Sequence, residues 1–439
     1  MIYIQSIVFL LLAIAGIGLF VRNILRIRRN IFLGKKEDRS DNSSQRWRLM
    51  FRIAIGQGKM MVRPVAGFFH IVVYAGFIII NIELVEIFID GIFRTHRYIG
   101  HTFPAPLYNF ITGTLDILAF LVLLSVTVFF IRRNSIKVPR LNSKDLLGWP
   151  KIDGNLILII EFLMMTALLS MNAADSALQK IGATPSVGYF PVSNFIFGSL
   201  FSTFSAGNLV FIEKSTWWFH YVGVLFFMNY LYFSKHLHIL FAFPNTYYAN
   251  LNKKGQLNNL ESVTKEVKLM MDPNADPYAA APEGTIPEKF GASDVTDLSW
   301  VQLLNAYTCT ECGRCTSNCP ANITGKKLSP RKIMMSVRDR IEEVGKNIDK
   351  NGSFVDDGKS LIGEYISAEE LWACTSCNAC VEACPILINP LSVIMDLRRY
   401  LVMEQSAAPQ ELNMMMTNIE NNSAPWQFSQ SDRANWTKE

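Results

Sequence analysis

The sequence predicts an all-α protein in two parts: a five-helix bundle that crosses a membrane, followed by a helical domain outside it. Three observations predict this. Half of the 439 residues are hydrophobic and only 18% are charged, and the mean hydropathy is +0.20, too apolar for a soluble chain of this length. The apolar residues concentrate before residue 245, and the chain beyond is polar. Strand signals are weak throughout, which disfavours a small mixed α/β domain around the cysteines. The expected organisation is a bundle over 1–245, a linker over 246–295, a helical cysteine domain over 296–405 and a polar flexible tail over 406–439.

Five stretches approach the ~20 residues that a membrane-crossing helix needs. They are 2–22, 65–90, 106–131, 154–174 and 215–242. The first lacks a basic leader and a small-residue cleavage site, and it runs into Arg22, Arg26, Arg28 and Arg29. It reads as a retained helix. The stretch 188–205 is interrupted by Pro191 and Gly198 and predicts a short or interfacial helix. Basic residues crowd 22–63 and 132–151, while 91–105 and 175–214 carry few. That asymmetry puts the N-terminus outside and the end of the fifth helix inside. The formal net charge of +5 therefore reads as membrane topology rather than nucleic-acid binding.

After residue 245, Pro and Gly mark a surface linker, with one short helix over Lys265–Met271. Asp297–Ala306 predicts a helix leading into the cysteines, and Ser329-Pro330 opens another. Ser367 and Glu370 form a capping-box pattern. The Asn-, Gln- and Ser-rich end predicts a flexible tail.

All eight cysteines fall in two copies of C-x2-C-x2-C-x3-C-P: Cys309, Cys312, Cys315, Cys319 with Pro320, and Cys374, Cys377, Cys380, Cys384 with Pro385. This run holds [4Fe–4S] clusters, and its fourth cysteine serves the other cluster. The expected ligand sets are Cys309, Cys312, Cys315 and Cys384 for one cluster, and Cys374, Cys377, Cys380 and Cys319 for the other. Gly313 is expected to let the backbone approach the first cluster. Zinc ribbons lack the trailing x3-C-P, and disulfides would require an oxidising compartment.

Ionisable groups inside a bilayer are costly and mark function. His70 lies in the second span, and His220, His236 and His238 lie in the fifth. On one continuous helix, the 18 residues from His220 to His238 make five turns, about 27 Å along one face. One b-type haem is therefore expected, or two stacked ones. His70 and His238 would hold the inner one, and His220 with His101 (or His96) the outer one; His236 points away. The alternative leaves His96 and His101 as loop residues and gives His220 a quinone pocket. The mid-span acids Asp116 and Glu161 read equally as proton carriers or as structural groups.

FHIVVYAGF around His70 and FSKHLHILFAFPN around His238 resemble the respiratory nitrate reductase gamma-subunit-like membrane cytochrome b fold, and also the membrane cytochrome of heterodisulfide reductase. In nitrate-reductase-type relatives the second helix carries two histidines ten residues apart, and here the second position is Ile80. GKKLSPRKIMMSVRDR, SAEELWACTSC and CPILINPLSVIMDLRRYLV resemble the heterodisulfide reductase small subunit, an all-helical dicluster ferredoxin. Together the resemblances cover about residues 1–405.

These resemblances imply an electron-transfer subunit of a respiratory oxidoreductase in a bacterial or archaeal inner membrane, its iron–sulfur domain cytosolic. Electrons would pass between a cytosolic partner, two [4Fe–4S] clusters, haem b and the quinone pool. The partner implied is a separate subunit, either a Cys-Cys-Gly-domain protein or an electron-transfer flavoprotein. A membrane-anchored redox sensor or scaffold is the competing class.

Overall fold

The computed structural model describes residues 4–274 and 289–438; the part of the linker over 275–288 lies outside them. Among the described residues the chain is helical, with β-pairing limited to two isolated bridges. Four helices among the described residues are long and apolar enough to cross a membrane: α1 (Ile4–Ile31), α3 (Pro64–Phe93), α5 (Ala105–Asn134) and α6 (Trp149–Lys180). At 28 to 32 residues each, they exceed the ~20 that a bilayer core requires. Prolines in the first turns of α3, α5 and α6 fix φ where no intrahelical N–H bond is lost. Arg28, Arg29, Arg132 and Arg133 close α1 and α5, where cations complement the helix dipole. Small residues let the helices approach: a Cβ on Gly76 would strike Val122, one on Gly91 would strike Phe9, and one on Gly223 would strike Met164.

The fifth expected span is not one helix. α8 (Ala206–Tyr230) packs on α6 and α1, then the chain breaks into two 3-10 turns, 231–233 and 235–237, before α9 (His238–Tyr247). Ser234 between the turns is extended, and its hydroxyl accepts the His236 N–H. Asp153 on α6 supports the break, accepting the Lys235 N–H at 3.1 Å and the Tyr230 hydroxyl at 2.7 Å. Backbone groups released from the helix thus find partners. The expected shared face of His220 and His238 does not exist, because the helix it assumed ends at Tyr230.

Shorter helices complete the membrane part. α2 (Ser43–Met50) precedes α3, α4 (Tyr98–Thr102) lies between α3 and α5, and α7 (Pro191–Phe201) fills the weak 188–205 stretch. Asp116 on α5 holds the start of α7, accepting N–H bonds from Val192 at 2.8 Å and Ser193 at 3.0 Å. Its other oxygen accepts the Ser193 hydroxyl, so Asp116 takes the structural reading.

α10 (Glu261–Met271) begins four residues earlier than expected. The cysteine domain follows with α11 (Trp300–Thr308), α12 (Arg314–Ser317), α13 (Pro320–Ile323), α14 (Pro330–Asn351), α15 (Ala368–Trp372), α16 (Ala379–Ala383) and α17 (Pro390–Met403). Ser299–Gln302 and Ser367–Glu370 form capping boxes, and Ser329 caps α14 ahead of Pro330. On α14, Ile333, Val337, Ile341 and Val344 recur at helical spacing and are fully buried. They join Leu303 of α11, Val393 and Leu397 of α17, and also Ile27, Ile31, Leu231 and Leu237 of the membrane part, in one hydrophobic core. That shared core, with Asn30 Nδ2 donating to the Tyr307 hydroxyl at 3.0 Å, seats the cysteine domain on one end of the bundle. The tail expected to lack structure carries α18 (Gln410–Asn422), none of whose residues is buried.

Candidate functional site

The two cysteine loops repeat one backbone shape. Glu311 and Ser376, each preceding the second cysteine, have φ of +53° and +56°; Gly313 and Asn378, each following it, have +70° and +59°. These left-handed residues wrap the chain around its thiols before α12 and α16 take up the third cysteine of each run. All eight thiols are free.

Cys309, Cys312, Cys315 and Cys384 line one small cavity. Cys319 instead lies within charge-interaction range of Cys374 and Cys380. The fourth cysteine of each run has therefore crossed to the other run's thiols. Among the described residues no three His, Cys, Asp or Glu side chains close on a point as a single metal ion would require. The first set surrounds a cavity instead, the arrangement a multi-iron centre needs.

Burial pushes the Cys309 and Cys380 thiols up to about 12 and Cys384 to about 11. Such sulfurs become thiolates when metal replaces their protons. Backbone N–H groups of Ile388 and Ser376 reach Cys384 Sγ at 3.3 Å and Cys374 Sγ at 3.4 Å, bonds of the kind that tune a cluster's potential. The donor set and its surroundings fit [4Fe–4S] groups.

A basic collar ties the first loop to the bundle. Arg140 donates to the Cys312 carbonyl, Arg314 to the Lys59 carbonyl at 2.9 Å, and Arg63 to Ser317 Oγ at 3.0 Å. Arg331 is buried and reaches Asp145 Oδ2 at 3.0 Å and the Arg140 carbonyl at 2.7 Å. A Cβ on Gly313 would lie 2.5 Å from Arg331 Nη1 and 2.9 Å from the Arg140 carbonyl. Gly313 thus makes room for Arg331, in addition to any approach to a cluster. Cys377 in the second loop is exposed, whereas Cys309 and Cys384 are buried.

Three histidines gather at the end of the bundle that meets the first loop. The His236 and His238 rings are 5.1 Å apart, and His70 on α3 is within charge-interaction range of His238 and of Arg314. His238 Nδ1 bonds the Lys235 carbonyl at 3.2 Å, while His70 has a buried Nδ1 without a hydrogen-bond partner. His236 does not point away as expected. The break after α8 turns it inward, and its Nε2 lies 3.5 Å from Glu161 Oε1.

His220 is buried on α8 with Nδ1 3.3 Å from the Met164 carbonyl. It lines a largely apolar cavity with Asn81, Glu161, Ile80 and Phe227. The expected His220–His101 pair is not formed: His101 is exposed on α4 and does not line this cavity, and His96 Nε2 lies 3.3 Å from Asp175.

Two features escaped the sequence reading. Arg97, in the charge-poor segment between α3 and α5, is buried and donates to Asp175 and Asn172 at 2.8 Å each, beside Glu83 and Glu86. Glu311 and Lys235 form a buried ion pair joining the first cysteine loop to the histidine turn. Burial alone would raise the Glu311 carboxyl, but Arg338 and Lys235 outweigh it and hold it below its ordinary range. The acid inside a cysteine run, where the second run has serine, was the available signal for this pair.

Residues 308–388 match the family model described as a 4Fe-4S dicluster domain. This chain carries a dicluster iron–sulfur domain. It is 28% identical to the "Probable iron-sulfur-binding oxidoreductase FadF" of Bacillus subtilis, over 99% of this chain and 61% of that protein. It is 28% identical to the "EtfAB:quinone oxidoreductase" of Syntrophomonas wolfei, over 91% of this chain and 55% of that protein. A shorter match, 29% identical over 19% of this chain and 33% of the relative, is to an iron-sulfur subunit of the CoB–CoM heterodisulfide reductase of Methanopyrus kandleri. The chain therefore spans less than two thirds of its two long relatives. No solved structure matches it. With the four apolar helices, these matches support an electron-transfer role at a membrane.

Proposed function

We propose that this chain is the membrane electron-transfer part of a quinone-linked oxidoreductase. The observation that carries the reading is the docking of the first cysteine loop, through Arg63, Arg140 and Arg314, onto the end of the bundle where His70, His236 and His238 converge. Cys309, Cys312, Cys315 and Cys384 would hold the membrane-side cluster, and Cys319, Cys374, Cys377 and Cys380 the other. Bound [4Fe–4S] clusters and haem supply one-electron transfer. The exposed Cys377 marks the face for a separate redox partner. A relative named for EtfAB and quinone favours an electron-transfer flavoprotein as that partner.

His70 and His238 would hold one b-type haem. His70 has an unpartnered ring nitrogen, and the Lys235 carbonyl orients the His238 ring. His220 is given no second haem. Its cavity, with apolar walls, Glu161 and Asn81, suits a quinone ring, and Glu161 and His220 are positioned to exchange its protons. Positive charge favours an orientation with the N-terminus outside and the cysteine domain in the cytosol.

The test is purification from native membranes with intact cofactors. The expected result is a b-haem spectrum, two cluster signals and reoxidation of reduced clusters by a quinone analogue. His70→Ala should abolish the haem spectrum and that reoxidation. Normal quinone-linked turnover in His70→Ala would overturn the assignment.

A further inference from the structure

We propose that Glu311 is a positioning residue: it locks the membrane-side cysteine loop to the turn that carries His238, and so sets the geometry of electron transfer between them. The inference rests on the function proposed above and deepens it.

The two loops supply an internal control. Ser376 occupies the place of Glu311 with φ of +56° against +53°. The loop shape therefore does not require an acid. Glutamate is also a poor occupant of the left-handed region, which favours Gly, Asn and Asp. The side chain, not the backbone, accounts for Glu311.

That side chain is buried, with the residue 4% exposed, and both its oxygens are engaged. Oε1 accepts from Arg338 Nη2 of α14 at 2.6 Å, and Oε2 accepts from Lys235 Nζ. Lys235 Nζ also donates to the Pro150 carbonyl at 2.6 Å at the start of α6. The Lys235 carbonyl is 3.2 Å from His238 Nδ1. One carboxylate thus joins the cysteine loop, the core helix of its domain, the start of α6 and the turn after α8. From the loop, the path to the His238 ring runs through a single residue, Lys235.

A buried carboxylate between two cations adds little net stability, but removing one partner strands the others. Its gain is direction: both oxygens are aimed, so a shift of the loop must shift Lys235 and the His238 ring. Ser376 has no such anchor; its hydroxyl reaches Met395 Sδ at 3.7 Å.

The experiment uses the complete protein purified with its cofactors, as Glu311→Ser and, separately, Lys235→Met. Lys235 lies far from the cysteines in sequence, so its variant tests the link without changing a residue of the ligand loop. Iron per chain and reduction by dithionite should match the unmodified protein in both. Reoxidation of the clusters by a quinone analogue should slow at least tenfold per assembled cluster, and the low-spin haem resonance should shift in Lys235→Met. Glu311→Asp should recover part of the rate. Unchanged rates in both variants would overturn the inference, as would slowing only in proportion to lost iron. If the unmodified protein's clusters are not reoxidised by quinone at all, the function proposed above fails instead.

Discussion

Gly313→Ala offers a measurable consequence of the packing around the first cysteine loop. Gly313 has φ of +70°, and an alanine there costs about 1–2 kcal/mol from backbone sterics. The new Cβ would also sit 2.5 Å from Arg331 Nη1, closer than carbon and nitrogen can approach. The guanidinium must move, yet it is buried and holds Asp145 and the Arg140 carbonyl. One charged hydrogen bond lost there costs about 1.5–3 kcal/mol. The expected total is about 2.5–5 kcal/mol. Asn378→Ala is the control, since Asn378 shares the left-handed conformation, with φ of +59°, and already carries a Cβ. It should cost about 1 kcal/mol. The assay is the urea midpoint for loss of iron–sulfur absorbance in the detergent-solubilised protein. Gly313→Ala should lower that midpoint several-fold further than Asn378→Ala. Equal shifts would refute the argument that Arg331, rather than backbone conformation alone, imposes glycine at this position.

Crossed ligation predicts how cysteine variants pair. Cys384→Ser and Cys309→Ser should remove the same electron paramagnetic resonance signal, and Cys319→Ser and Cys374→Ser the other; a signal shared by Cys384→Ser and Cys374→Ser would contradict the crossing. Acid should loosen the contact between the 139–146 loop and α14. Burial would raise the Asp145 carboxyl, but Arg331, Ser143 and Ser329 outweigh it and lower its pKa in the folded protein. Its stabilisation is then present above the ordinary carboxylate range near pH ~4 and lost as the pH falls through the depressed value. Hydrogen exchange of residues 139–146 should accelerate at that acid end, and Asp145→Asn should flatten the dependence; an unchanged pH slope in the variant would rule the pair out as its source.

The legible features were local ones. Both cysteine runs, the capping box at Ser367, the proline start of α14 and the arginine ends of α1 and α5 are short-range patterns, and short-range physics places them. Expectation and structure part where distant residues intervene. His236 looked misdirected because a straight helix was assumed through Tyr230. Asp116 looked equally suited to carrying protons because its partners, Val192 and Ser193, come from a helix 76 residues away or more. The pairing of His220 with His101 required two distant segments to meet, and helical periodicity carries no information about that.

By itself the sequence determined the iron–sulfur chemistry, because ligand type and spacing are local and the whole run occurs twice. It also determined that the first half is apolar enough for a membrane, because transfer free energy depends on composition and length. The tertiary structure alone decided where the chain breaks after α8, which partners Asp116 holds, and that Glu311 reaches Lys235. Each of those depends on packing between segments far apart in the chain. There a buried carboxylate, Asp153 or Glu311, takes the partners that burial leaves it.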